Sequence, residues 1–477
     1  MKNIVSGKWT DSVSGETFDV VNPATGKVIE SVPKCTPEDI RIAIDAAVKA
    51  QKVWADVPVF ERAAILYRFL DIVDENAESL AQTLMQENGK PIAEARAEIG
   101  NIRIGFSGFI EHAKHYYETI IPPGLEAGQQ SNLVMVQRAP VGVVACIIPF
   151  NFPCDLFDQK VAPALMMGNA AIVLPSSDNP LTLLRLTGML VEAGVPDGVA
   201  QCLTAPGSVK ATVAHDGRIG LITLTGSTEV GIETAKAAAE HLIPCALELG
   251  GNDAFIVLED ADVDLAANEV VWGRTYNTGQ VCCASKRFIV HNKVKDAFAE
   301  KVVALIQGRK YGAPEEEGTQ IACLISEKAA VKVEEQVERV VAQGGKILCG
   351  GKRNGAYYDP TVIADVPKDA DVARDDEIFG PVVPIIGFDT DAEAVEIANS
   401  SIFGLSSCVF SRDYKRAYAV ASKMEAGGAV INGASFFRSF EIPFGGWKHS
   451  GIGTEGVYST FEEMTNVRNV ILKNLVE

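Results

Sequence analysis

Short, nearly uninterrupted apolar runs, each closed off by Gly or Pro, constrain this chain more than any other feature. Residues 141–148, 170–174, 221–224, 254–257, 288–290 and 384–388 are of this kind. They are too short for amphipathic helices and lack the polar alternation of a half-exposed strand. Such runs resemble strands buried on both faces, the setting of a parallel sheet covered by helices. Other segments, 37–54 and 60–76, space their apolar residues by three and four, which predicts helices. Strand-then-helix repetition predicts an α/β protein with right-handed crossovers. At 477 residues and about 100–200 residues per domain, two to four units are expected.

A helix-rich start (37–118) precedes one βα series (141–247), and a second follows (254–430). Residues 120–138 differ: they are turn-rich, then polar and alternating. The tail from Met464 alternates too. Two isolated strands so far apart predict a small sheet that pairs with another copy of the chain. Internal repeats, low-complexity tracts and heptads are absent, and 314–318 reads as a solvated loop.

Lys and Arg total 43 against 62 Asp and Glu, a net charge of -19. An acidic surface repels polyanions, so neither nucleic acid nor an anionic membrane is an expected partner. The most apolar stretch, 141–152, is short and broken by Pro149 and Asn151, which argues against a membrane span. The first seven residues lack an apolar core, so no secretory signal is expected. The ten cysteines are scattered without a C-x-x-C set, so no metal site is expected. They fit a reducing cytoplasm, most of them as core residues.

Four local signals carry chemistry. Adjacent Cys282 and Cys283 follow Gly279-Gln280-Val281 and precede a strand, 288–290; a loop–helix junction there can lower a thiol pKa, and two buried structural thiols are the alternative. Glu248 lies between leucines before Gly250-Gly251, either a general base with a raised pKa or a solvent-facing strand end. Thr225-Gly226-Ser227 follows a strand and opens a helix, where amides suit a phosphate, or else form a simple turn. Asn151, in Pro149-Phe150-Asn151-Phe152-Pro153, is a candidate amide donor or part of a turn.

Each signal alone is ambiguous. In order, with Glu377-Ile378-Phe379-Gly380-Pro381 and Pro443-Phe444-Gly445-Gly446, they resemble the aldehyde dehydrogenase superfamily over essentially the whole chain. The resemblance implies an α/β fold in three parts. A Rossmann-type NAD(P)-binding domain would take 1–119 and 140–247, and a catalytic domain 248–450. Oligomerisation segments, 120–139 and 451–477, would build a homodimer or homotetramer. It implies Cys282 as nucleophile, Asn151 and the Cys282 backbone N–H as oxyanion donors, Glu248 as activator of water and Lys160 as a supporting cation. Ile148, Pro149, Ser177, Gly207, Gly226, Ser227, Leu249, Glu377 and Phe379 would contact the cofactor.

One departure matters. The family's Lys-Pro-Ser-Glu is Leu174-Pro175-Ser176-Ser177 here. The acid that holds the NAD ribose and repels a 2′-phosphate is replaced by Ser177, while the lysine that would welcome that phosphate is Leu174. NAD and NADP both stay open. For substrate, Leu156, Gln159 and Arg438 fall on the implied pocket wall. Arg438 lies between aromatics, in Phe436-Phe437-Arg438-Ser439-Phe440. It either binds an anionic group bidentately or stacks on Phe437. The expected substrate is a small polar or anionic aldehyde of the lactaldehyde, glyceraldehyde or semialdehyde class. A coenzyme A-acylating semialdehyde dehydrogenase and a catalytically silent structural relative are the competing readings. Glu248 argues against the first, and the joint presence of Cys282, Glu248 and Asn151 against the second.

Overall fold

The apolar runs become the central strands of two sheets. The computed structural model describes residues 1–475. In the first sheet, Ala200–Cys202, Ala170–Leu174, Val143–Ile147, Ile219–Thr225 and Cys245–Glu248 lie side by side and parallel. Asn3–Val5 joins antiparallel at one edge, and Gly451–Ile452 at the other, against Leu247 and Glu248. In the second sheet, Thr361–Val366, Val382–Phe388, Ser285–His291, Asp253–Val257, Ser407–Phe410 and Val430–Ile431 run parallel, with Lys346–Cys349 antiparallel at one edge. Only residues 249–252 separate the last parallel strand of the first sheet from the first strand of the second.

A third sheet holds the polar strands. Thr465–Leu472 pairs antiparallel with Leu133–Pro140 along their full lengths, and Thr119–Ile121 extends the sheet. It leaves Ile120, Val467 and Ile471 exposed. Just before it, the helix Val457–Glu463 places Val457 and Phe461 in the core beside the first sheet.

Helix Ile92–Lys114 buries Ile92, Ala95, Glu98, Ile99, Ile102, Gly105, Phe106, Phe109 and Ile110, a stripe at three- and four-residue spacing. That stripe faces the helix Pro153–Met166. Phe69, Phe106 and Phe157 meet there, with ring centroids 4.9 and 6.1 Å apart. Burying each such ring contributes about 1.5–3 kcal/mol. Gly105 permits the close approach: a Cβ there would lie 2.2 Å from Asp158 Oδ2.

This topology collects the four chemical signals. Asn151, Gly226 and Glu248 all lie at or just beyond the carboxyl ends of parallel strands in the first sheet, the edge at which open α/β sheets bind ligands. Cys282 precedes Ser285–His291 of the second sheet.

Candidate active site

The cysteine turn departs from the sequence expectation. Helix Val263–Thr275 ends in one 3-10 turn, Tyr276–Gly279, with Asn277 (φ 46°) and Thr278 (φ 54°) left-handed. Residues 281–284 then turn directly into the strand. There is no loop–helix junction at the thiol, since the chain enters a strand; the neighbouring Cys283 thiol and nearby charges tune it instead. The turn is fastened from several sides. Gln280 Nε2 donates to the Asn277 carbonyl (3.1 Å), and its Oε1 accepts from Ile325 N–H (2.9 Å). Thr278 Oγ1 accepts from Ala322 N–H (3.1 Å). Gly279 sits at φ 78°, where a Cβ would lie 2.4 Å from the Gly380 oxygen, so a side chain is excluded there.

Cys282 is partly exposed, whereas Cys283 is buried. The neighbouring Cys283 thiol, first, and then the positive charge of Lys286 and Arg438 favour the Cys282 thiolate. Against the opposing effect of burial, these bring the Cys282 thiol down to about 7. The adjacent Cys282, together with burial, holds the Cys283 thiol well above its ordinary value. Lys286 is itself buried. It donates to the Cys282 carbonyl and lies 3.1 Å from Glu377 Oε1.

Glu248 ends its strand, and its carbonyl accepts the Gly226 N–H at 3.0 Å. Its side chain is buried and Oε2 has no hydrogen-bond partner. Burial, and then the negative charge of Glu455, push its pKa well above the usual carboxylate range. Glu455 is the centre of a buried ion cluster. One oxygen accepts from Lys160 Nζ at 2.7 Å, and the other from the Arg438 guanidinium. Lys160 also donates to Thr223 Oγ1 at 3.0 Å. Burial would raise the Glu455 pKa, but the two cations outweigh it and leave it at about 2.

Arg438 therefore meets the site as half of an ion pair. Its guanidinium stacks on Phe444 at 4.2 Å, while Phe437 points out and is 65% exposed. Stacking on Phe437 was the sequence alternative; the ring that performs it is Phe444. Leu156 and Gln159 are buried on helix Pro153–Met166, and Gln159 Oε1 lacks a partner. Asp155, on the same helix, accepts from Asn101 at 3.2 Å.

Of the residues implied as cofactor contacts, Ser227 caps the helix Thr228–Ala239, its Oγ accepting from Val230 N–H at 3.4 Å. Next to it, the buried Thr225 hydroxyl has no partner. Glu377 Oε1 accepts from Gly251 N–H at 3.3 Å, and a Cβ at Gly250 would lie 2.5 Å from Glu377 Oε2. Phe379 stands edge-on to Phe150, with centroids 6.0 Å apart. Ile148 and Leu249 are buried, and Pro149 is partly so. Gly207 opens the short helix Gly207–Lys210. Ser177 Oγ donates to the Ala205 carbonyl at 3.1 Å. Ser177 and Asp178 also border a cavity of about 580 Å³ whose lining includes Asp19 and Glu327 and neither lysine nor arginine. A helix N-terminus, an unpartnered hydroxyl, the Glu377 carboxylate and glycines where side chains will not fit suit a dinucleotide.

The comparisons with known proteins agree with this geometry. The model of the aldehyde dehydrogenase family matches residues 9–470. The chain belongs to the aldehyde dehydrogenase family. It is 38% identical over 466 residues to a glutarate-semialdehyde dehydrogenase of Pseudomonas putida, covering 97% of this chain and 96% of the relative. It is 37% identical over 473 residues to a lactaldehyde dehydrogenase of Methanocaldococcus jannaschii, covering 98% of this chain and 99% of the relative. An NADP-dependent enzyme of E. coli has the same fold, with a TM-score of 0.95, 35% identity, and coverage of 99% of this chain and 98% of that one.

This aldehyde dehydrogenase is thus an oxidoreductase that works with NAD or NADP. Among its described residues, no helix is long and apolar enough to cross a membrane. Sequence reasoning missed Glu455 and Lys286. Glu455 stands in Gly453-Thr454-Glu455-Gly456, a lone acid in a glycine-rich turn. That is the same signal that singled out Glu248.

Proposed function

We propose that this enzyme oxidises a small polar or anionic aldehyde to its carboxylic acid through a covalent intermediate on Cys282. The observation that carries the reading is the pairing of a partly exposed thiol, brought down to about 7, with a buried, unpartnered Glu248 carboxylate. The Cys282 thiolate attacks the carbonyl carbon. The C=O electron pair moves onto oxygen, where the Asn151 amide and the Cys282 N–H receive it. When bound, the nicotinamide supplies the acceptor that takes the aldehyde hydrogen as hydride. Glu248 then takes a proton from water, the hydroxide attacks the thioester carbon, and the Cys282 thiolate leaves as the acid is released. Lys160 and Glu455 form the charged floor behind these groups.

Gly226, Ser227, Gly207 and Ser177 would hold the phosphates and adenosine, in a domain formed by 1–119 and 140–247. Glu377 would take the nicotinamide ribose, with Phe379, Ile148, Pro149 and Leu249 around the ring. Residues 248–450 would supply the thiol. The sheet of Leu133–Pro140 and Thr465–Leu472 would join copies into a dimer or tetramer, in the cytoplasm. Leu156, Gln159 and Arg438 would wall the aldehyde pocket. The relatives' substrates, a semialdehyde and lactaldehyde, support a short polar one. The test is an aldehyde panel with each of NAD and NADP, followed by absorbance. Growth of NAD(P)H with lactaldehyde, glyceraldehyde or succinic semialdehyde, absent in Cys282→Ala, is expected. Activity retained in Cys282→Ala overturns the reading.

A further inference from the structure

Four side-chain donors converge on two successive carbonyls in the Asn151 turn. Asn88 Nδ2 and Asn179 Nδ2 donate to the Phe150 oxygen at 2.6 and 2.7 Å. Lys90 Nζ and Asn277 Nδ2 donate to the Asn151 oxygen, each at 2.8 Å. All four residues are at most 1% exposed. They come from three separate parts of the chain, so the arrangement is not local turn chemistry. Asn277 belongs to the cysteine turn, five residues before Cys282, and so links the two loops directly.

A second tier fastens both loops to one helix, Ile92–Lys114. Glu94 Oε2 accepts the Asn277 N–H at 2.8 Å. Glu98 pairs with Lys90 and accepts the Cys154 N–H at 2.8 Å, at the start of the helix that follows Asn151. The Lys90 ammonium also lies 4.5 Å from the centroid of the Phe152 ring. A carbonyl held by two buried donors cannot swing, so the Asn151 side chain starts from a fixed point relative to the thiol.

We propose that Asn277 and Lys90 are positioning residues, which aim the Asn151 amide at the oxyanion by pinning its carbonyl. This rests on Asn151 and Cys282 having the roles given above. Misplacing a reacting group by about 1 Å costs on the order of 100-fold. The left-handed φ of Asn277 makes Asn277→Gly a clean variant, since glycine keeps that backbone and loses only the amide.

The expected result is a kcat lowered about 10- to 100-fold in Asn277→Gly, with KM within about 3-fold and iodoacetamide alkylation of Cys282 unchanged. In an Asn151→Ala background, the same substitution lowers the residual kcat by less than about 3-fold, because there is no amide left to aim. Lys90→Met alone strands the Glu98 charge, so Lys90→Met with Glu98→Gln is the matched second test, with the same pattern expected. Wild-type kcat in Asn277→Gly, an equal loss in both backgrounds, or a parallel loss of alkylation overturns the proposal. Asn151→Ala with wild-type kcat sinks the underlying reading instead, and the proposal with it.

Discussion

The two walls of the site are built differently. The cysteine turn, residues 277–286, is tied down by buried polar groups: Asn277, Thr278, Gln280 and Lys286 all bond to backbone groups. The neighbouring loop, residues 436–445, leans mainly on rings and the Arg438 ion pair. Ser435, just before it, is still part of the buried network, its Oγ donating to the Cys283 carbonyl at 3.0 Å. Phe436 stacks on Trp272 at 5.4 Å, Arg438 pairs with Glu455, and Phe437 and Ile442 face solvent. Buried hydrogen bonds are directional and expensive to break, whereas aromatic contacts tolerate sliding. With the roles proposed for Cys282 and Arg438, the reacting thiol would sit on the rigid side and substrate recognition on the adaptable side.

That contrast can be broken from its rigid wall first. Cys282→Ala removes the atom that forms the bond, and kcat should fall by at least about 1,000-fold in the NAD(P)H assay. Glu248→Gln should retain a single-turnover burst of NAD(P)H while the steady-state rate falls about 100-fold, seen by stopped flow. An unchanged steady-state rate would remove Glu248 as the base.

The adaptable wall should respond through KM. Arg438→Ala should raise KM about 10-fold for succinic semialdehyde or glyceraldehyde 3-phosphate and at most about 2-fold for propanal, if the guanidinium binds an anion while paired. A uniform loss of kcat across all three would instead make Arg438 a partner of Glu455 alone. The smallest effect is expected at Cys283→Ala, with activity kept within about 3-fold. The neighbouring Cys283 thiol is the largest influence lowering the Cys282 thiol. A donor to the thiolate favours the charged form, so its loss should raise the Cys282 pKa above about 7. The alkylation-rate profile should shift to higher pH, with slower reaction near neutrality and recovery at alkaline pH.

Much of the fold was legible because apolar runs and helical spacing are local signals. All six runs hold strands, most of them extended, as with Ser285–His291 around 288–290, while 141–148 keeps only Val143–Ile147. The ordered motifs marked Asn151, Glu248 and Cys282, which the chain brings to one cleft. The supporting groups were not legible. Glu455 acquires its meaning from Lys160 and Arg438, 295 and 17 positions away. Lys90 and Asn277 meet at a carbonyl, and spacing carries no record of that. The strand after the cysteine turn was legible, but the loop–helix junction expected beside it is absent, and the thiol is tuned by its neighbour and by charges distant in sequence, such as Arg438.

The most direct measurement is mass spectrometry of Glu248→Gln quenched during turnover with lactaldehyde and cofactor, with fragmentation across residues 275–286. An acyl adduct on Cys282 that persists when Cys283→Ala is added is the expected result. An adduct on Cys283, or a burst of reduced cofactor with no adduct on either sulfur, would contradict covalent catalysis at Cys282.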